Sequence, residues 1–319
     1  MQRSAALALL LLALAASPAG ADLSSRAAAE LRLAELRAAG DEAGLWALRG
    51  DAKAPPIPRG KAFLAFFEGR RAPLAAQDRA RLVKGLSDPS PAVRAASLRV
   101  IGRLNDREFE ADALRRAAED PDAGVRVEAL QTLRPWTRQG HLYFIDQALG
   151  SSSPLVQAEA LRNLAALPYR EAPPEILGAV DAATSPLQPT GVRLAALEVL
   201  KAWGRLDWPQ LKEVLLESEG SEALRLFAVE ASDSLAPSQE RNPILLDILG
   251  DDTSQRLAWK AFDRLRRSGA DELALPSRVT GFLAFHNRRN TATEGMAAYL
   301  RGRGYRVEFR SGAWKLSRP

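Results

Sequence analysis

Few residues in this chain are of a type and spacing that could do chemistry. The histidines are two, His141 and His286, far apart in sequence. A metal- or base-centred site needs partners at fixed offsets, and no His-Glu-x-x-His, Gly-x-Ser-x-Gly, Ser-x-x-Lys or Walker loop is present. Gly302-Arg303-Gly304 is too short for a dinucleotide loop and precedes a strand pattern instead of following one. Cysteine is absent, which removes zinc fingers, iron–sulfur clusters, thiol nucleophiles and thioether attachment of a bilin or haem. Carboxylates are plentiful but recur at surface positions of helical text, and a pair of them facing a groove is the one acid–base arrangement left open. The expectation is a chain with no catalytic residue, no cofactor and no metal, not an enzyme.

What remains is charge held at regular intervals, and a repeat sets those intervals. Val93-Arg94-Ala95-Ala96-Ser97-Leu98 returns as Val125 to Leu130, Val156 to Leu161 and Val192 to Leu197, with weaker copies at Leu224 to Val229 and Leu257 to Phe262; the steps are 32, 31, 36, 32 and 33 residues. Self-similarity on this scale marks a stack of small units. Turn signals separate them: Asp88-Pro89-Ser90-Pro91, Asp120-Pro121, Ser152-Ser153-Pro154, Ser185-Pro186, Glu219-Gly220 and Asp251-Asp252. These supply N-caps and proline starts for the helix that follows, so each unit holds two helices and the second carries the motif. At 100° per residue the motif's first, fifth, sixth and ninth positions share one arc. In the first copy they are Val93, Ser97, Leu98 and Ile101, and in the second Val125, Ala129, Leu130 and Leu133. That arc is the expected core, with the small residue admitting the partner helix. Ordering costs about 1.5 kcal/mol per residue, so one unit cannot fold alone.

The text Asp-Pro-x-x-x-Val-Arg-x-x-Ala-x-x-x-Leu resembles HEAT repeats, in particular a short bacterial subtype similar to phycobilisome-lyase-type repeats, over Leu74 to Ser268. The Trp and Leu-Gly offsets of tetratricopeptide repeats and the Thr-Pro-Leu-His of ankyrin repeats do not occur. The resemblance implies an all-α fold, a right-handed α-α superhelix, here with a small C-terminal β-hairpin. It implies an armadillo-like scaffold whose second helices line a concave face and bind a protein or peptide partner. It also implies a polar ladder from an Asp six residues before an Arg: Asp88/Arg94 and Asp120/Arg126 keep the spacing, whereas Ser151/Gln157 and Asp252/Ala258 do not. The ladder is thus expected to be strong early and broken later.

On such a face the seventh motif position reads Arg99, Gln131, Arg162, Glu198, Glu230 and Asp263, running from basic to acidic, with Arg103 and Arg134 agreeing early. The third position grows more apolar toward Leu194, Leu226 and Trp259. Arg99, Arg103, Gln131, Arg134, Arg162, Leu194, Glu198, Leu226, Glu230, Trp259 and Asp263 are therefore the candidate partner-binding residues of a polarised groove; a merely solvated face is the other reading. Two further classes of function stand beside the scaffold: an enzyme or accessory factor of the HEAT-like lyase or glycosylase type, and weak nucleic-acid binding. Formal charge is only +5 with a pI near 9.7, which reflects arginine richness without a polybasic run, so no nucleic-acid partner is expected.

The ends differ. Arg3, the Ala/Leu run Ala5 to Ala16, the Ser17-Pro18 break and Ala19-Gly20-Ala21 have the form of a cleaved secretory signal over 1–21 with a mature start at Asp22; an uncleaved anchor is the alternative. The location expected is therefore periplasmic or secreted, with no membrane span in the mature chain. Residues 22–73 read as an N-terminal helical cap, its helix starting at Ser24-Ser25 and stopping at Gly40, followed by a Pro55-Pro56-Ile57-Pro58 connector. Lys61–Gly69 is possible as a degenerate first repeat. Repeats then fill 74–268. Residues 269–319 read as a helical pair, with Thr291 and Glu294 as a capping box, and a hairpin of Tyr305 to Phe309 and Ala313 to Leu316 around Ser311-Gly312. Two roles are open for that hairpin, a lid on the last repeat or an edge for a partner strand.

Overall fold

The computed structural model describes residues 18–168, 170, 172–217, 220–251, 254–268, 274–286 and 288–317. Most of the expected signal segment, and Asp252 of the expected ladder, lie outside them. Two compact units divide at Ala182 and Ala183.

The first unit holds α1 (Pro18–Ala39), α2 (Glu42–Gly50), α3 (Pro56–Phe66), α4 (Ala76–Leu86), α5 (Pro91–Leu104), α6 (Glu110–Glu119), α7 (Ala123–Leu133), α8 (Leu142–Leu149), α9 (Pro154–Leu164) and α10 (Pro174–Ala183). Helices pair as α2 with α3, α4 with α5, α6 with α7 and α8 with α9, and the second members α3, α5, α7 and α9 pack side by side in chain order. The expected core arc is the one buried: Val93, Ser97, Leu98, Ile101, Val125, Ala129, Leu130 and Leu133 are all within the interior. Close approach between pair members depends on small residues. A Cβ on Gly85 of α4 would stand 2.3 Å from Ser97 Oγ and 2.6 Å from the Phe63 ring.

Stacking begins earlier than the repeat text. The prolines expected as a non-helical connector instead open α3, with Pro56 in its first turn, where a missing N–H costs nothing. α3 then packs on α5 as a full second helix, burying Phe63 and Phe66. α1 starts at Pro18, not at Ser24, and Gly40 ends it in the left-handed region at φ +63. Trp46 of α2 carries a cluster that the sequence did not signal. The Arg49 guanidinium stacks 4.1 Å from its ring centroid and that of Arg81 5.4 Å, while Arg81 and Arg70 also cover Phe66. Asp78 pairs with both Arg70 and Arg81. Burial alone would raise the Asp78 carboxyl, but the hydrogen bonds and charges of the two arginines hold it below its ordinary value.

The second unit holds α11 (Thr190–Ala202), α12 (Trp208–Leu216), α13 (Glu222–Leu235), α14 (Ser238–Asp251), α15 (Gln255–Arg267), α16 (Ala274–Phe285), α17 (Thr291–Arg301), β1 (Arg306–Arg310) and β2 (Ala313–Ser317). The same scheme recurs: α12 with α13, α14 with α15 and α16 with α17, with α11, α13, α15 and α17 in series. Trp136 in the first unit, and Trp203 and Trp208 here, are core residues, and the Trp136 and Trp208 indoles donate to Asn105 and Glu240. The last helix is capped one residue earlier than expected: Asn290 is the N-cap and Thr293 closes the box. Glu294 instead pairs with Arg289 and Arg301.

The strands pair antiparallel with Phe309 opposite Trp314 and Val307 opposite Leu316. Ser311 and Gly312 both have positive φ, 54 and 75, the mirror-image turn that matches strand twist. Val307 and Trp314 are buried, β1 rests on α17 and β2 on α16, and the Trp314 indole donates to the Arg288 carbonyl. The hairpin therefore covers the last helical pair. Trp314→Ala is expected to lower stability by about 3–5 kcal/mol, read as a shifted urea midpoint; an unchanged midpoint would show that the hairpin contributes no packing.

Candidate partner-binding face

The motif arginines are used inside the stack. Arg94 donates to both Asp120 oxygens, at 2.8 and 2.7 Å, across to the next repeat. The same guanidinium turns back to the Asp88 and Pro89 carbonyls of its own turn. Asp88 in turn receives Arg49 at 2.7 Å and Arg59 at 3.0 Å. Each Asp also accepts from a backbone N–H two residues on, Ser90 for Asp88 and Asp122 for Asp120. Arg126 repeats the back-bond to Asp120 O but meets only the neutral Ser151 hydroxyl ahead, at 3.4 Å. A further motif arginine, which the expected spacing does not include, is also engaged. In the second unit Arg193 donates to Thr184 O and forms a 2.7 Å pair with Glu217.

Burial pushes the Asp120 carboxyl up. Arg94 hydrogen bonds, the Asp122 N–H and the charges of Arg94 and Arg116 outweigh that and leave it below its ordinary value. The Arg94 guanidinium is correspondingly raised, first by its bond to Asp120.

The outward residues show a second pattern. Neighbouring second helices lie about 8–10 Å apart, so long charged side chains bridge from one to the next. Arg99 of α5 pairs with Glu128 of α7, and Arg134 with Glu159 of α9, which Arg162 also approaches. In the second unit Glu230 pairs with Lys260 at 2.6 Å and Asp233 with Arg264. Asp263 is held by Arg266 and Arg267 of its own helix. The Glu230 carboxyl is lowered, chiefly by its Lys260 hydrogen bond. The expected drift from basic to acidic is therefore not a drift of free charge: each of these groups is matched by an opposite one nearby. Gln131 is exposed, and Glu198 is half-buried.

The expected apolar strip is corrected too. Leu226 is buried, Leu194 is half-buried, and Trp259 lies 5.4 Å from the Phe262 ring and so close to Gly295 of α17 that a Cβ there would stand 2.5 Å from it. These side chains fill seams between helices. At Trp259 the third motif position points toward the next helical pair, which a single-helix projection does not capture.

Two expected residues do come together at a hollow. Arg99 and Arg103 line a pocket of about 540 Å³ floored by Leu33 and Ala34 of α1 and Leu64 and Ala65 of α3. Sequence reading missed α1 and α3 here because the pairs that hold them, Lys61–Glu30 at 2.6 Å and Arg37–Glu68 at 2.9 Å, join residues a whole repeat apart.

Both histidines bond to neighbouring side chains. His141 is buried with its Nε2 2.6 Å from Glu110, which Arg138 also pairs. His286 Nδ1 meets Gln255.

Residues 80–139 match the family model for HEAT repeats. The matched stretch runs from within α4 through α5, α6 and α7 and includes the Arg94–Asp120 rung. No curated protein matches the chain.

Removing one partner of a buried ion pair leaves the other uncompensated, so Asp120→Asn is expected to cost about 3 kcal/mol at neutral pH. Because the folded carboxyl is lowered, its contribution is complete above the unfolded value of about 4 and is lost as pH falls through the folded one. Urea titrations across that range should show an acid-side loss in the parent that Asp120→Asn lacks; parallel curves would remove Asp120 from the acid response.

Proposed function

We propose that this HEAT-repeat protein is a non-catalytic scaffold that holds a protein partner along the outer surface of its second helices. HEAT repeats form helical scaffolds that commonly interact with proteins, and such surfaces are extended and preformed. The carrying observation is the apolar-floored pocket where α1, α3 and α5 meet, bordered by Arg99 and Arg103. Around it the charged groups are already fixed by neighbour pairs, so little side-chain freedom is lost on binding. The non-catalytic reading is supported by residues present: both histidines are engaged in structural hydrogen bonds, and the motif arginines serve the ladder.

A photo-crosslinking residue placed at Leu64, Gln131 or Arg162 should capture one recurring partner in the native cell. The same residue at Val83, exposed on a first helix, should not. Capture from Val83 alone would overturn the assignment of the face.

The scaffold works outside the cytoplasm, a reading supported by Arg3, the apolar run Ala5 to Ala16 and the small residues before Asp22. Fractionation should recover the chain from the periplasm or medium with Asp22 as its first residue; cytosolic protein retaining Met1 would end this reading.

A further inference from the structure

We infer that the pocket between α1, α3 and α5 is a recognition site for an acidic, aliphatic peptide segment, with Arg103 receiving the carboxylate. The inference rests on the scaffold reading and specifies its partner. Every other cation at the rim has a carboxylate on an adjoining helix or turn: Lys61 has Glu30, Arg37 has Glu68 and Arg99 has Glu128. Arg103 is exposed, and among the described residues its one side-chain hydrogen bond goes to a neutral group, the Phe67 carbonyl, at 2.5 Å. Among the described residues no carboxylate pairs with it. A guanidinium carries five N–H donors, so that bond leaves most of its capacity and its whole charge unmatched at the mouth of an apolar hollow.

The floor dictates the rest of the ligand. Leu33 is buried and Leu64 and Ala65 are half-buried, so aliphatic groups set there displace water from apolar surface. A volume of about 540 Å³ lies in the range of ligand pockets. Continuity favours a peptide over a small acid. Arg99 lines the hollow and also pairs with Glu128 of α7, so a chain leaving the pocket runs onto the next second helix.

The probe is a heptapeptide alternating leucine and glutamate, carrying fluorescein on its N-terminal amine and amidated at its C-terminus, with a leucine–lysine counterpart labelled in the same way, followed by fluorescence anisotropy. The glutamate peptide should bind and the lysine peptide should not. Arg103→Ala should weaken binding about tenfold, as expected for one charge-assisted hydrogen bond. Ala65→Trp, which fills the floor, should do the same, with both variants keeping the parent melting temperature. Equal affinity in Arg103→Ala, equal binding of the lysine peptide, or no binding of either at millimolar concentration would overturn the site. Decanoate displacing the peptide, with no gain in affinity on lengthening the peptide, would assign the pocket to small carboxylic acids and overturn the peptide. If the second-helix crosslinkers still capture a partner while these arms fail, the site alone is wrong; if capture fails too, the scaffold reading falls with it.

Discussion

A buried arginine–aspartate rung fixes the register of the early repeats. Arg94 faces two ways, forward to both oxygens of Asp120 and back to the carbonyls of its own turn. A planar guanidinium does this because its donors diverge in a fixed fork. The turn, the helix start and the neighbouring repeat are thereby tied to one group. The Asp joins the same knot, since it also accepts the N–H that begins the next helix. A slip of one repeat against the next would strand a buried carboxylate. Such an arrangement adds little to net stability, because both ions are desolvated. Its effect is to make one registration of repeats far better than its competitors.

The outer surface obeys the opposite economy. Arg37–Glu68, Arg99–Glu128 and Lys260–Glu230 join adjacent helices in partly or largely exposed positions, where an ion pair is worth little and salt weakens it. These pairs leave the helices where packing has already put them. They do cancel charge locally, as at the rim of the pocket between α1, α3 and α5. Against that background Arg103 stands apart.

The apolar arcs of α5 and α7 were legible in the sequence because helical period and burial coincide: Val93, Leu98, Val125 and Leu130 are each read from position alone. The early ladder was legible for a similar reason, a fixed offset from turn to arginine. What escaped has a shared cause. The Lys61–Glu30 and Arg99–Glu128 pairs join residues 31 and 29 apart, where no local pattern reports a contact. Arg193 finds Glu217 only 24 residues on, against 26 for Arg94 and Asp120, so a template of constant offset passed over it. Pro56 read as a breaker because proline signals both the end of extended chain and the first turn of a helix. Trp259 lay on the outward side of a wheel that treats each helix as solitary, although α17 lies against it.

The Arg126–Ser151 contact has a mechanical meaning. The two rungs before it are ionic and buried, whereas this one is a single long bond to a hydroxyl. The α7–α9 seam therefore lacks a buried ionic rung at its turn and is tied instead by the Arg134–Glu159 pair and the Asn163 bond to Leu130 O.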